Sequence, residues 1–395
     1  MKSFLKPGIT AGLVCFFLSA AAQKDMRTLI RNNEVFAANQ YKLLMKNTPP
    51  DKMPQNYDPA KDKLVASGTA WWTSGFYPGT LWLIYKATKD PEILTEAKKR
   101  LVQEAPMQYY TGNHDIGFMI FCSFGNAYAI TKDPHYKEVI LTAAETATKR
   151  YRQGMKAIQS WNKSKKFNAP VIIDNMMNLE LLEWASRNGG SKLLAEIAEN
   201  HANTTLKNHF RPDGSSYHAV DYDTATGAVL KKVTHQGYAD ESAWARGQAW
   251  ALYGYTMMYR FTKKPEYLAQ AHKIAAFILD HPNLPEDKVP YWDFNAPDIP
   301  NAPRDVSAAA VMASALLELA QYSNPKQKAS YRTSAATMIR SMATTYRSQP
   351  GGSKGFILTR SVGNLPGRSE VNVSLSYADY YFMEALDRYK RWVLK

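Results

Sequence analysis

Four times along this chain a nearly apolar stretch ends in a short proline-bearing turn, and an amphipathic helical pattern follows. Thr88-Lys89-Asp90-Pro91 leads into 92–102, and Thr131-Lys132-Asp133-Pro134 into 135–151. Thr262-Lys263-Lys264-Pro265 leads into 266–279, and Ser323-Asn324-Pro325 into 326–345. Proline costs little at the first position of a helix, where the N–H has no intrahelical partner, and Asp, Lys or Asn stands before it each time. The stretches before the turns, 79–85, 117–130, 249–261 and 308–320, are apolar almost all round, which predicts helices buried on every side. The helices after proline keep one polar face. Adding 175–186 with its partner 192–208, and a helix at each end of the chain, gives about a dozen helices alternating inner and outer. An all-α (α/α)6 barrel accounts for this alternation best, with about six inner helices wrapped by about six outer ones. A solenoid of stacked pairs is the structural alternative. Strand patterns are confined to short stretches such as 214–233, read as a small β-hairpin insertion. The periodicity has no linker, so residues 23–395 form a single domain. The loops leading into the inner helices then gather at one end of the ring, where chemistry is expected.

Residues 1–22 read as an export signal: Lys2 and Lys6, then an apolar run from Ile9 to Ser19, then Ala20-Ala21-Ala22 before Gln23. The run is too short to span a membrane, so no membrane anchor is expected. Cys15 falls inside it without the small residue that precedes a lipid-modified cysteine, which leaves Cys122 alone and no intrachain disulfide in the mature protein. Export without disulfides points to a periplasmic location. The formal charge of +14 would suit nucleic acid, but no basic helix or nucleic-acid motif accompanies it, and an acidic saccharide is the better partner.

Several inner helices open on groups that packing does not require. Trp71 and Trp72 precede the second helix, His114-Asp115 the fourth, Asp174 the sixth and Arg304-Asp305 the tenth. The densest stretch runs from His235 through Gln236, Ser242, Trp244, Arg246 and Gln248 to Trp250. It offers hydrogen-bonding groups for hydroxyls, a guanidinium fork for a carboxylate and flat indole faces, as a charged sugar requires. A helix start with a capping acid and core tryptophans has much the same composition. An Asp at a helix start is usually an N-cap. Asp174, however, follows Val171-Ile172-Ile173 and precedes two methionines, so desolvation should raise its pKa and let it carry a proton near neutrality. Asp115 is the natural second carboxylate, and paired carboxylates ringed by aromatics suit glycosidic cleavage. No metal-ligand spacing, phosphate loop or serine-nucleophile elbow is found, so neither a metal nor another cofactor is expected.

The segments 114–118, 173–179, 235–237 with 242–250, and 379–386 resemble the unsaturated glucuronyl hydrolases, glycoside hydrolase family 88, in order and over nearly the whole mature chain. The resemblance implies an (α/α)6 barrel that hydrates the C4=C5 enol ether of the 4,5-unsaturated uronic acid left by polysaccharide lyases. It implies that Asp174 protonates C4 and then activates water for C5, with Asp115 holding the ring. It places His114, His218, Gln236 and Arg246 against the uronate, Trp250 stacked on its ring, and Trp161 with Trp72 (or the adjacent Trp71) as walls. Relatives acting on sulfated disaccharides carry Ser-x-x-Ser-x-Lys before the last helix, where this chain has Asn364-Leu365-Pro366-Gly367-Arg368-Ser369. Only Arg368 is left there to meet a sulfate. The charge favours glycosaminoglycan-derived disaccharides. An unsaturated rhamnogalacturonyl hydrolase and a non-catalytic periplasmic sugar-binding protein are the rival readings.

Overall fold

The proline turns reverse the chain by one repeated device. A computed structural model describes the backbone from Ile9 to Lys395 and the side chains from Gln23 onward, so the expected export signal lies outside the fully described residues. The helices are α1 (Ile9–Asn47), α2 (Phe76–Thr88), α3 (Pro91–Glu104), α4 (Asn126–Thr131), α5 (Pro134–Thr148) and α6 (Asn175–Arg187). They continue with α7 (Lys192–Asn208), α8 (Ala245–Thr262), α9 (Pro265–Asp280), α10 (Val306–Leu319), α11 (Pro325–Thr344) and α12 (Ser376–Trp392). At the end of α2, Lys89 turns left-handed (φ 61°) and returns its N–H to the Tyr85 carbonyl. Asp90 then accepts hydrogen bonds from the N–H groups of Glu92 and Ile93 and caps α3. Thr88 Oγ1 bonds back to Ile84 O and accepts from Asp90 N. Thr131-Lys132-Asp133 and Thr262-Lys263 repeat the geometry, each lysine lying over the tyrosine four residues before it. That cation–π contact helps offset the cost of a non-glycine residue at positive φ.

These reversals stack the helices as a closed ring. The inner helices meet in the order α2, the π-helical segment Gly117–Gly125 continued by α4, then α6, α8, α10 and α12, which returns to α2. Outside them lie α3, α5, α7, α9 and α11, with α1 closing the outer layer against α2, α3, α11 and α12. This is the (α/α)6 barrel, and every residue of α10 is buried within it. Glycines make the tightest inner contact possible. A Cβ on Gly75 would stand 2.1 Å from Met119 O, and one on Gly79 2.4 Å from Cys122 O. No helix among the described residues is long and apolar enough to cross a membrane.

More β-structure surrounds the site than the strand patterns suggest. Strands β1 (Met53–Asp58), β2 (Lys63–Ser67), β3 (Tyr151–Arg152), β4 (Ala157–Ile158), β5 (Pro170–Ile172), β6 (Ala219–Tyr222), β7 (Val229–Val233), β8 (Ser361–Asn364) and β9 (Ser369–Leu375) form three sheets. The expected hairpin is β6–β7, extended by β5 into three strands with Ile172 opposite Ala219 and Ala219 opposite Val233. A four-stranded sheet in the order β2-β1-β9-β8 was not anticipated. Because β5 leads into α6 and β9 into α12, both sheets frame the end of the barrel where inner helices begin.

Candidate active site

At that end a cavity of about 280 Å³ opens, lined by Trp71, Trp72, His114, Asp115, Trp161, Ile172, Asp174, His235, Gln236, Arg246, Asn364, Ser369, Glu370 and Tyr377. Five of the six inner-helix starts contribute. Both members of the Trp71–Trp72 pair reach it: Trp71 stands out at the rim, 44% exposed, while Trp72 packs on Phe118 and Tyr377. Trp161 forms the opposite wall, its ring 5.2 Å from His235. Arg150 fixes that wall by donating to Thr111 O, Gln159 O and the Asn162 side chain.

The two carboxyls differ from the capping acids of the turns. Asp174 sits at the N-cap position of α6 but caps nothing, and its Oδ2 is buried without a hydrogen-bond partner. Burial raises its pKa to about 7, against the nearby charge of Arg246 and the Trp250 indole N–H, which pull it down. Burial also raises Asp115, and the neighbouring Asp174 charge raises it further. Neutral histidines face both. Asn178 Oδ1 accepts from Phe118 N, so its amide nitrogen is turned to His114 Nδ1, 3.5 Å away. His114 then carries its proton on Nε2, 3.4 Å from Asp115 Oδ1, and burial lowers its pKa to about 3. His218 Nδ1 accepts from the backbone N–H of His235 and Gln236, which leaves Nε2–H toward Asp174 Oδ2 at 3.8 Å.

Four expected roles change. Trp250 is wholly buried between Phe118 and Tyr381 (ring centroids 5.3 and 5.4 Å) and does not line the cavity, so it cannot stack on a ligand ring; its N–H lies near Asp174 and lowers that carboxyl without completing a hydrogen bond. His218 is likewise buried behind Asp174 rather than lining the cavity. Arg246 lines the cavity, but its fork is already engaged. Nη1 donates to Asp305 Oδ2 at 2.8 Å and to Val362 O, and Nη2 to Gly363 O at 2.7 Å, so three of its five N–H groups are taken and Nε–H and one Nη2–H remain. It ties β8 to the barrel, and only its Nε edge, not the whole fork, is left to meet a carboxylate. Arg368 lies exposed at the tip of the β8–β9 hairpin and does not reach the cavity, where Asn364, Ser369 and Glu370 face inward from that hairpin. Gln236 lines the cavity with its amide anchored on Gly363 O. Tyr377, at the start of α12 with a buried unpartnered hydroxyl, was missed; its signal was its place at an inner-helix entrance.

The family model for Glycosyl Hydrolase Family 88 matches residues 44–392. An unsaturated glucuronyl hydrolase of Formosa agariphila is 47% identical over 328 residues, covering 82% of this chain and 81% of that protein. An unsaturated chondroitin disaccharide hydrolase of Streptococcus agalactiae is 33% identical over 330 residues, covering 82% of each. Among solved structures, an unsaturated glucuronyl hydrolase specific for heparin superposes with a TM-score of 0.89 at 42% identity, covering 92% of this chain and 97% of that one.

Proposed function

The chain belongs to glycoside hydrolase family 88, and from that premise we propose that it removes the 4,5-unsaturated uronic acid from the non-reducing end of lyase-generated glycosaminoglycan disaccharides. One observation carries the reading: a carboxyl with an unpartnered oxygen, held near neutral pKa by burial, at the floor of an aromatic-walled cavity. A sugar-binding protein gains nothing from such a group, whereas protonating an enol ether requires it. The protonated Asp174 delivers its proton to C4, and positive charge develops at C5 and the ring oxygen. The resulting carboxylate takes a proton from the water that bonds to C5. The hemiketal so formed opens by breaking C5–O, leaving a ketone at C5 and a hemiacetal at C1 that releases the remaining saccharide.

His218 Nε2–H is placed to stabilise Asp174 as it becomes anionic. Asp115, supported by His114, is placed to bind ring hydroxyls, with Gln236, Trp72 and Trp161 as further contacts. Names of relatives that mention heparin and chondroitin support the substrate class. The basic start, apolar run and alanine triplet of residues 1–22 support export to the periplasm. The test is loss of the ultraviolet absorbance of the conjugated C4=C5 bond on a panel of heparin-, chondroitin- and hyaluronan-derived disaccharides. Binding of these sugars by folded protein without bleaching of any of them would sink the enzymatic reading.

A further inference from the structure

The cavity supplies an anionic ligand with little free positive charge. Its lining carries Asp115, Asp174 and Glu370 but one cation, Arg246, which Asp305 already neutralises. Free positive charge lies just outside. Register puts Lys231 opposite Asp221 and Pro170, two residues along from the row Ile172, Ala219 and Val233, and side chains two apart share a face. Lys231 therefore stands on the face that carries the cavity residue Ile172, whereas Lys232 points to the other face, over Tyr217. Phe167 packs on this first face with Ile172 and Ala219, and its ring meets the cavity wall Trp161 at 5.7 Å. Lys231 and Lys166 both hold their ammonium groups over the Phe167 ring, at 5.1 and 5.4 Å. Lys231 also donates to Lys166 O. Neither has a carboxylate within ion-pair distance among the described residues. Asp221, the acid across the strand from Lys231, is buried and spends both oxygens on the backbone N–H groups of Asn168 and Ala169.

We propose that Lys166 and Lys231, seated on Phe167 behind Trp161, form an anion site at the cavity rim that binds a sulfate group on the saccharide released by the reaction. The proposal rests on the function proposed above for the same cavity. With the uronate at Asp115 and Asp174, a leaving sugar directed along Trp161 would reach the sheet that carries Lys231. Two ammonium groups on a rigid aromatic seat give a sulfate point-charge attraction with less rotamer entropy to lose than free lysines would. This places sulfate recognition on β7 and the 161–167 loop, not on the β8–β9 hairpin where Arg368 stands clear of the cavity.

The test compares wild type with Lys166→Gln/Lys231→Gln, both exposed positions, on unsulfated, 6-O-sulfated and N-sulfated unsaturated disaccharides. Lys326→Gln/Lys328→Gln, at the start of α11 on the far end of the barrel, matches the change in net charge. The rim variant should raise KM for at least one sulfated disaccharide about five- to tenfold, as expected for two partly exposed ion contacts. It should leave kcat and the unsulfated KM unchanged, and the salt dependence of the sulfated KM should flatten. Equal shifts on sulfated and unsulfated sugars, the same effect from the far-end variant, or no shift would each overturn the site. Calorimetric binding in an Asp174→Asn background reads the sulfate preference without turnover. Turnover of the unsulfated sugar by wild type separately tests the enzymatic reading.

Discussion

Replacing Asp174 by asparagine should abolish turnover and make the protein more stable, by an amount that depends on pH. A carboxyl held at about 7 instead of 3.8 costs about 4 kcal/mol more to ionise in the fold than in the unfolded chain, at about 1.4 kcal/mol per tenfold in proton affinity. Between those two values the unfolded chain has lost the proton and the fold retains it, so the native state binds more protons. This group's contribution to stability therefore falls as pH rises from about 4 and levels off above about 7. Asparagine does not titrate, so the variant's advantage is absent below pH about 4 and full above about 7. Its carbonyl can accept from the Trp250 N–H, but the remaining imperfect burial reduces the gain to about 2–4 kcal/mol. For a chain of this length that is a rise in Tm of about 3–5 °C. Asp115, raised by burial and further by the Asp174 charge, is eased in the variant, which adds to the gap at high pH. Thermal unfolding of the two across this pH range, alongside the absorbance assay, measures both effects. A variant less stable than wild type at pH about 8, or a gap that does not vary with pH, would refute the argument that burial holds Asp174 protonated.

Trp250→Phe should leave KM within about twofold, because the indole does not line the cavity; it should move the alkaline limb of kcat/KM to higher pH, since the lost N–H was lowering Asp174. A large rise in KM with an unmoved limb would restore the stacking role. Arg246→Ala should lower unfolding stability by about 3–5 kcal/mol, the cost of breaking a buried ion pair that also anchors β8. An unchanged urea midpoint, with loss of substrate affinity alone, would show an open carboxylate clamp instead. Gly79→Ala should destabilise by about 2 kcal/mol or more, since its methyl must displace the Cys122 carbonyl and the Tyr380 ring. A Tm equal to wild type would show that α2 is free to slide on the π segment.

The ring of helices was legible because its signals are local and repeated. Each Thr-Lys-Asp-Pro turn carries both the left-handed stop of one helix and the cap of the next within four residues. Asp115 and Asp174 were legible for the same reason, as acids at helix starts set among apolar neighbours. What sequence did not show depends on partners far along the chain. Arg246 looks like a free fork until Asp305, fifty-nine residues later, and the carbonyls of Val362 and Gly363 occupy its Nη groups. Trp250 belongs to the motif by sequence but falls one turn inside α8, where Phe118 and Tyr381 enclose it. The sheet joining β1 to β9 pairs segments more than three hundred residues apart, and short strands such as Lys63–Ser67 carry no alternation strong enough to announce it.

The acids at helix starts and in the loops beside them fall into two groups, and the division bears on how an acidic cavity can accept an acidic sugar. Asp90, Asp133 and Asp305 accept backbone N–H bonds at their helix starts, and Asp293 and Asp379 bind the backbone of neighbouring loops. These acids hold the scaffold. Burial raises Asp379 (to about 7) and Asp293 as well, but away from the cavity, whereas Asp174 and Asp115 sit at helix starts without backbone donors and face it. In their protonated form they do not repel an incoming uronate, and Arg246 is committed to Asp305 and to the fold. The burial that leaves Asp174 Oδ2 unpartnered therefore does two things: it lets the anion in, and it keeps on hand the proton that the enol ether must receive.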